Sequence, residues 1–143
     1  MTNRSATARW QGSLKEGGGS VALGTGAIEA PISFSSRFEE GEGTNPDQLL
    51  AGALSGCFTM ALSHVLSEAG NPADSLETQA DVTLRQSDEG LAITRIDLKL
   101  RGSVPGIDQD QFAEHAAAAK AGCAVSKALG AVDEVTLDAT LEG

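Results

Sequence analysis

The sequence predicts an α+β fold in which antiparallel strands surround one long buried helix. Three observations carry that prediction. Residues 45–70, NPDQLLAGALSGCFTMALSHVLSEAG, form the longest apolar run and are bounded by helix start and stop signals. Residues 80–85, 94–101 and 135–141 alternate apolar and polar side chains with the period of a strand. The first 35 residues break into short strand-like runs separated by glycines. With no repeat, low-complexity tract or linker, residues 1–143 are expected to form a single domain. A chain of this length buries roughly two thirds of its unfolded surface and needs no disulfide or metal to fold.

Taken in order, residues 7–10, 20–23 and 31–34 read as strands of a small antiparallel sheet, with the glycines at 17–19 as one turn. Residues 35–44, SSRFEEGEGT, are acidic and glycine-bearing and read as a surface loop that carries Arg37. At the helix start, Asn45 fits the N-cap, Pro46 the first helical position, Asp47 the positive end of the helix dipole, and Gln48 the third position of a capping box. Gly70 fits the left-handed position that ends a helix, and Asn71-Pro72 follows. About 24 residues at 1.5 Å each make a rod of roughly 36 Å. No charge falls between Gln48 and Ser67, so this helix is expected to be buried on nearly every side, by the chain and by a second subunit. Gly52 and Gly56 each cost roughly 1 kcal/mol relative to Ala in a helix interior, which close approach of another backbone would explain.

Beyond the helix, 80–85 and 94–101 pair as a hairpin around the turn residues 87–90, with Ala80, Val82, Leu84, Ile96, Leu98 and Leu100 facing the core. Val104-Pro105-Gly106 breaks the second strand. Asp108 then caps a helix through Lys120 with Phe112, Ala116 and Ala119 on one stripe. Gly122 interrupts it, and a short helical stretch at 124–129 places Cys123 at its N-terminus. Residues 135–141 form the last strand.

Charge and composition exclude several function classes. A formal charge of -10, with only 10 Lys and Arg, disfavours nucleic acid, because phosphates must be neutralised by cations. Leu49–Leu66 carries no formal charge, but Gly52, Ser55, Gly56, Thr59, Ser63 and His64 dilute it and no basic residue flanks it, so a membrane span is not expected. The start, MTNRSATARWQG, is polar throughout, so a signal peptide is not expected and a cytoplasmic location is. Two cysteines and two distant histidines have no metal-ligand spacing, and no feature indicates an organic cofactor.

Chemistry therefore centres on Cys57 and Cys123. A cysteine is a nucleophile only as thiolate, so each needs a cause that lowers its pKa. For Cys123 a helix N-terminus supplies partial positive charge. For Cys57, burial in mid-helix works the other way, and a cation must come from elsewhere. Arg37 could supply it, held by Asp47 ten residues before the cysteine. The alternative is that both cysteines are inert small hydrophobes, Arg37 a solvated loop charge and Asp47 a plain helix-dipole partner. His64, seven residues and roughly 10 Å beyond Cys57 along the axis, is too far to act as its base and reads as a core or interface histidine. His115 has no evident partner.

Residues 44–58, TNPDQLLAGALSGCF, followed by KAGCAVS at 120–126, resemble the OsmC and Ohr family of thiol-dependent hydroperoxide reductases. ARW at 8–10, SRFE at 36–39 and VPGID at 104–108 extend the resemblance over nearly the whole chain, closer to the OsmC branch than to the Ohr branch. The resemblance implies an OsmC-like fold in an intertwined homodimer with active sites near the subunit interface. It implies Cys57 as peroxidatic thiol, Cys123 as resolving thiol and Arg37 as activating cation. Where the family pattern has Glu, this chain has Asp47, and Glu39 or Glu40 are the other carboxylates that could orient Arg37. The implied reaction forms a Cys57 sulfenic acid and then an intramolecular disulfide, reduced by an external dithiol such as a lipoylated protein. An apolar wall of Phe58, Met60, Leu50, Phe34 or Phe38 would favour organic hydroperoxides over hydrogen peroxide. The contrasting reading is a non-enzymatic stress or ligand-binding domain with an apolar cleft and unreactive thiols.

Overall fold

The computed structural model describes residues 1–142, which divide into two compact units, Met1–Leu49 and Leu50 onward. In the first unit, β1 (Ala6–Gln11), β2 (Gly18–Leu23) and β3 (Ile28–Ile32) form an antiparallel sheet in that order. Gly19 lies opposite Trp10, and a Cβ there would collide with the Arg9 carbonyl oxygen and the Trp10 ring, so only glycine fits.

The third strand ends earlier than the alternation suggests, because Phe34–Phe38 forms a short helix, α1. The expected loop position of Arg37 is thereby corrected: it sits on α1. The cause is a capping box, in which the Ser33 side chain accepts from the Ser36 N–H (3.0 Å) and the Ser36 hydroxyl accepts from the Ser33 N–H (2.8 Å).

The long helix, α2 (Pro46–Glu68), starts and stops where its sequence signals lie. Asn45 Oδ1 accepts from the Gln48 N–H at 2.8 Å. Gly70 (φ +84°) ends it, with its N–H bonded to Ser67 O and the Asn71 N–H to Leu66 O, the two bonds of a Schellman motif. Within the single chain the helix is covered on one side only. Only the stripe Leu54, Phe58, Leu62 and Leu66 is buried, while Gly52, Ala53, Gly56, Met60, Ser63, His64 and Ser67 are exposed. His64 is thus not a core histidine. Open space surrounds the positions a Cβ would take at Gly52 and Gly56, so no backbone within the chain accounts for them. The helix is also long and apolar enough to cross a membrane by length and composition, a test that core helices of soluble proteins pass as well.

In the second unit, β4 (Ser75–Ser87) and β5 (Gly90–Ser103) form the expected hairpin, longer at both ends. Leu98 pairs with Ala80 and Ile96 with Val82, so one apolar face is continuous across the pair. Then α3 (Gln109–Gly122) and α4 (Ala124–Ala128) form a crossover to β6 (Glu134–Leu141), which joins β5 in parallel. Antiparallel pairing thus holds for five of the six strands, and β6 makes the second sheet mixed.

Asp108 caps α3 through the Gln111 N–H (2.8 Å), and Phe112, Ala116 and Ala119 are buried as their spacing requires. They pack with the α2 stripe and with Ile96, Leu98 and Leu100 into one core. Gly102 is the tightest point: a Cβ there would lie 2.8 Å from both Phe112 Cζ and Leu76 Cδ2.

Candidate active site

Both cysteines belong to the second unit. Cys57, half-buried, stands on α2 next to the buried stripe, and Cys123 is sealed in the core at 1% exposure. Cys123 occupies the joint between α3 and α4. Its N–H closes α3 by donating to Ala119 O (2.9 Å), and its carbonyl opens α4 by accepting from the Lys127 N–H (3.0 Å). Extended backbone at this one residue (φ -67°, ψ 127°) ends one helix and starts the next. The two free thiols sit close to disulfide distance, near enough to hydrogen-bond each other.

The electrostatics of the pair are unequal. The Cys123 thiol, donating to the Cys57 sulfur, lowers the Cys57 pKa most; the backbone N–H groups of Val125 and Ala124 lower it further, against a smaller opposing effect of burial. For Cys123, burial is the first cause and raises the pKa, the bond to Cys57 raises it further, and the N–H groups of Ser126 and Val125 offset part of this. Ionisation is therefore favoured at Cys57 and disfavoured at Cys123. This corrects two expectations. The helix N-terminus at residue 124 was expected to activate Cys123; its amides do favour ionisation there, but burial outweighs them, and they favour Cys57 as well. Cys57 was expected to depend on a distant cation, yet residues 123–125 already lower its pKa.

The first unit holds the other two site candidates. Arg37 Nε donates to Asp47 Oδ2 at 3.3 Å and its NH2 group to Asp47 Oδ1 at 3.4 Å, a two-pronged pair joining α1 to the first turn of α2. Of the three carboxylates considered, Asp47 is the one bonded to Arg37; Glu39 and Glu40 are exposed. The Arg37 guanidinium also lies 5.5 Å from the centre of the Phe38 ring, which in turn packs on Phe34 at 4.9 Å between centroids.

The apolar wall is only partly as expected. Phe58 is fully buried in the core of the second unit and offers nothing to a ligand, while Met60 is 75% exposed and Leu50 half-buried. What sequence reasoning missed are the backbone amides of Ala124 and Val125 as partners of Cys57. The helix start there was legible, but not which sulfur it faces. It also missed Ser36, whose signal was the Ser33-x-x-Ser36 spacing.

Comparison with known proteins gives consistent results. Residues 39–138 match the family model described as OsmC-like protein. The chain is 45% identical over 141 residues to Peroxiredoxin OsmC of Escherichia coli (strain K12), spanning 98% of this chain and 97% of that one. It is 31% identical over 122 residues to Organic hydroperoxide resistance protein OhrB of Bacillus subtilis (strain 168), spanning 84% and 88%. Among solved structures, the OsmC-like protein from Mycoplasma pneumoniae superposes with a TM-score of 0.78 over 99% of both chains at 14% identity, a likeness of fold.

Proposed function

The chain belongs to the OsmC-like protein family and is a thiol-dependent peroxidase; on that premise we propose how its residues divide the reaction and what they act on. The single observation that carries the assignment is a pair of free thiols close to disulfide distance, Cys57 half-buried and Cys123 sealed in the core. The Cys57 thiolate attacks one oxygen of a hydroperoxide. The O–O bond breaks, the sulfur takes the near oxygen as sulfenic acid, and the other oxygen leaves with its electron pair and is protonated to an alcohol. Cys123 then gives up its proton as its sulfur attacks the Cys57 sulfur; the S–O bond breaks, the hydroxyl leaves with that proton as water, and the disulfide forms. An external dithiol, a lipoylated protein or a small dithiol, supplies the two electrons and two protons that restore both thiols.

Arg37 is the activating cation in this proposal, with Asp47 orienting it. The two-pronged ion pair supports the orienting role. Arg37 adds to what residues 123–125 already do, and its positive charge suits the oxyanion that develops on the departing oxygen. The substrate class is organic hydroperoxides, with hydrogen peroxide a poorer substrate, supported by the apolar side chains of Leu50 and Met60 on the helix that carries Cys57.

The functional state is an intertwined homodimer. Support comes from the uncharged exposed face of α2, where Gly52 and Gly56 have room for close approach by a second copy. The alignment with the Escherichia coli relative spans 98% of the chain, which supports reading residues 1–143 as one functional domain. A cytoplasmic site of action suits two free thiols that must be reduced again after each turnover.

The test is thiol counting. One equivalent of cumene hydroperoxide removes both free thiols without linking chains, Cys123→Ser halts at sulfenic acid, and the rate constant exceeds that for hydrogen peroxide. Chain-linked products would move the resolving thiol to the other subunit, and equal rate constants would remove the substrate preference.

A further inference from the structure

Two polar side chains are buried in the first unit and take no part in the chemistry above: Ser36 at 6% and Asn45 at 7% exposure. Both face the same joint. Asn45 sits at the N-cap of α2, where Oδ1 accepts from the Gln48 N–H; its Nδ2 donates to Ser36 O at 2.8 Å, in the last full turn of α1. Ser36 Oγ donates to Thr44 O at 2.7 Å, and Ser33 O lies 3.1 Å away as a weaker alternative for the same proton. Thr44 is itself fixed, its N–H donating to Pro31 O at 2.9 Å beside a bridge between Ile32 and Thr44. Buried polar groups persist where every bond is made, and no buried side-chain nitrogen or oxygen among the described residues lacks a partner.

The residues joined by these bonds flank the ion pair. Ser36 immediately precedes Arg37, and Asn45 is two residues before Asp47. The bonds between Arg37 and Asp47 are themselves long, at 3.3 and 3.4 Å, and the Arg37 side chain is 30% exposed. A partly solvated pair of this length holds two backbones together weakly. The shorter buried bonds at Ser36 and Asn45 fix the relative placement of α1 and the α2 start, and the ion pair follows from it. A Ser or Asp at position 45 would cap the helix as well as Asn does. Neither supplies the amide N–H that reaches Ser36 O, so capping alone does not explain Asn here.

From this geometry we infer that Asn45 and Ser36 are positioning residues for catalysis: they form a buried latch that sets the guanidinium of Arg37. The inference rests on the proposed role of Arg37 and adds the device that holds it.

The test compares Asn45→Ser, which keeps the helix cap, and Ser36→Ala with Arg37→Gln. Each is made alone and each latch variant is combined with Arg37→Gln. Folding is checked by urea denaturation. The measurements are the first-turnover rate with cumene hydroperoxide across pH and the thiolate absorbance of Cys57. Misplacing a catalytic group costs on the order of tenfold or more. Each latch variant is therefore expected to slow the first turnover by about tenfold and to move Cys57 ionisation to higher pH. In the Arg37→Gln background neither latch change slows the reaction further, because the group they position is gone. If Arg37→Gln is slow while Asn45→Ser and Ser36→Ala keep the full rate, the latch is overturned and the Arg37 role stands. Multiplicative losses in the combined variants also overturn it, since they mark a general structural effect. A full rate in Arg37→Gln overturns the Arg37 role and the latch together.

Discussion

Replacing Cys123 separates its two roles, because Cys123→Ala removes both the resolving sulfur and the donor to Cys57, whereas Cys123→Ser removes only the first. In Cys123→Ser the hydroxyl replaces S–H as the donor and the Cys57 thiolate keeps a donor at its largest source of stabilisation. A hydrogen bond to a charged group contributes about 1.5–3 kcal/mol, and a donor replacing the weak S–H belongs near the lower figure. Losing about 1.4 kcal/mol cuts the thiolate population about tenfold at a pH below the thiol's titration range. The less stabilised thiolate is also the better nucleophile: a Brønsted slope of about 0.45 returns about threefold of that loss. Cys123→Ala should therefore react about three- to fourfold more slowly than Cys123→Ser in the first turnover at low pH. Above the titration range of both variants only the nucleophilicity term remains, and Cys123→Ala should be about threefold faster. Neither variant can resolve, so the assay is a single turnover read as sulfenic acid formed. The two pH–rate curves must cross. Superimposed curves would show that Cys123 does not stabilise the Cys57 thiolate.

Two further outcomes concern stability. Gly102→Ala should cost about 1–3 kcal/mol in urea denaturation, because the new methyl meets Phe112 and Leu76 at 2.8 Å and the core must shift; an unchanged midpoint would mean that the contact relaxes freely. Cys57→Ser should make stability fall at alkaline pH. Cys123 keeps burial, the first cause of its raised pKa, so its contribution is complete below the unfolded thiol's pKa and is lost as pH rises through the raised folded value. In the unaltered chain Cys57 has the opposite sign, contributing above the unfolded thiol's pKa and losing that contribution as pH falls through its lowered one. Removing Cys57 should thus abolish the rise in stability between its lowered pKa and the unfolded thiol's pKa and leave only the alkaline loss from Cys123, and parallel pH profiles for the two proteins would refute this.

The elements legible in the sequence are those whose ends are set by neighbours in the chain. Asn45, Gly70 and Asp108 each bond within a few residues, and the helices they bound begin and end at those signals. The period-two runs gave the correct inward faces for the same local reason, as Ile96, Leu98 and Leu100 confirm. Direction is another matter. Alternation at 135–141 is the same whether a strand runs parallel or antiparallel, and the parallel pairing of β6 follows from the crossover through α3 and α4. The absence of charge between Gln48 and Ser67 was read as burial, but it specifies only that a face tolerates burial. Leu54, Phe58, Leu62 and Leu66 face the chain's own core, and the remaining face is exposed in the single chain. Arg37 was placed in a loop because glycine and glutamate dominate 39–43, which hid a five-residue helix held by two serines.

Placement of the negative charge depends on a property that no local pattern contains. Both sulfurs sit at the start of α4, and the Val125 N–H favours ionisation of either one, so the helix terminus by itself does not choose between them. Burial breaks the tie. Desolvation is the largest influence on Cys123, which is 1% exposed, and it is outweighed at Cys57, which retains access to solvent. Burial favours the protonated form of Cys123, which donates to Cys57 beside it. The same difference in exposure decides which sulfur a peroxide can reach. Access and ionisation thus fall on one atom, while the sealed, protonated partner is spared direct oxidation until a sulfenic acid forms beside it.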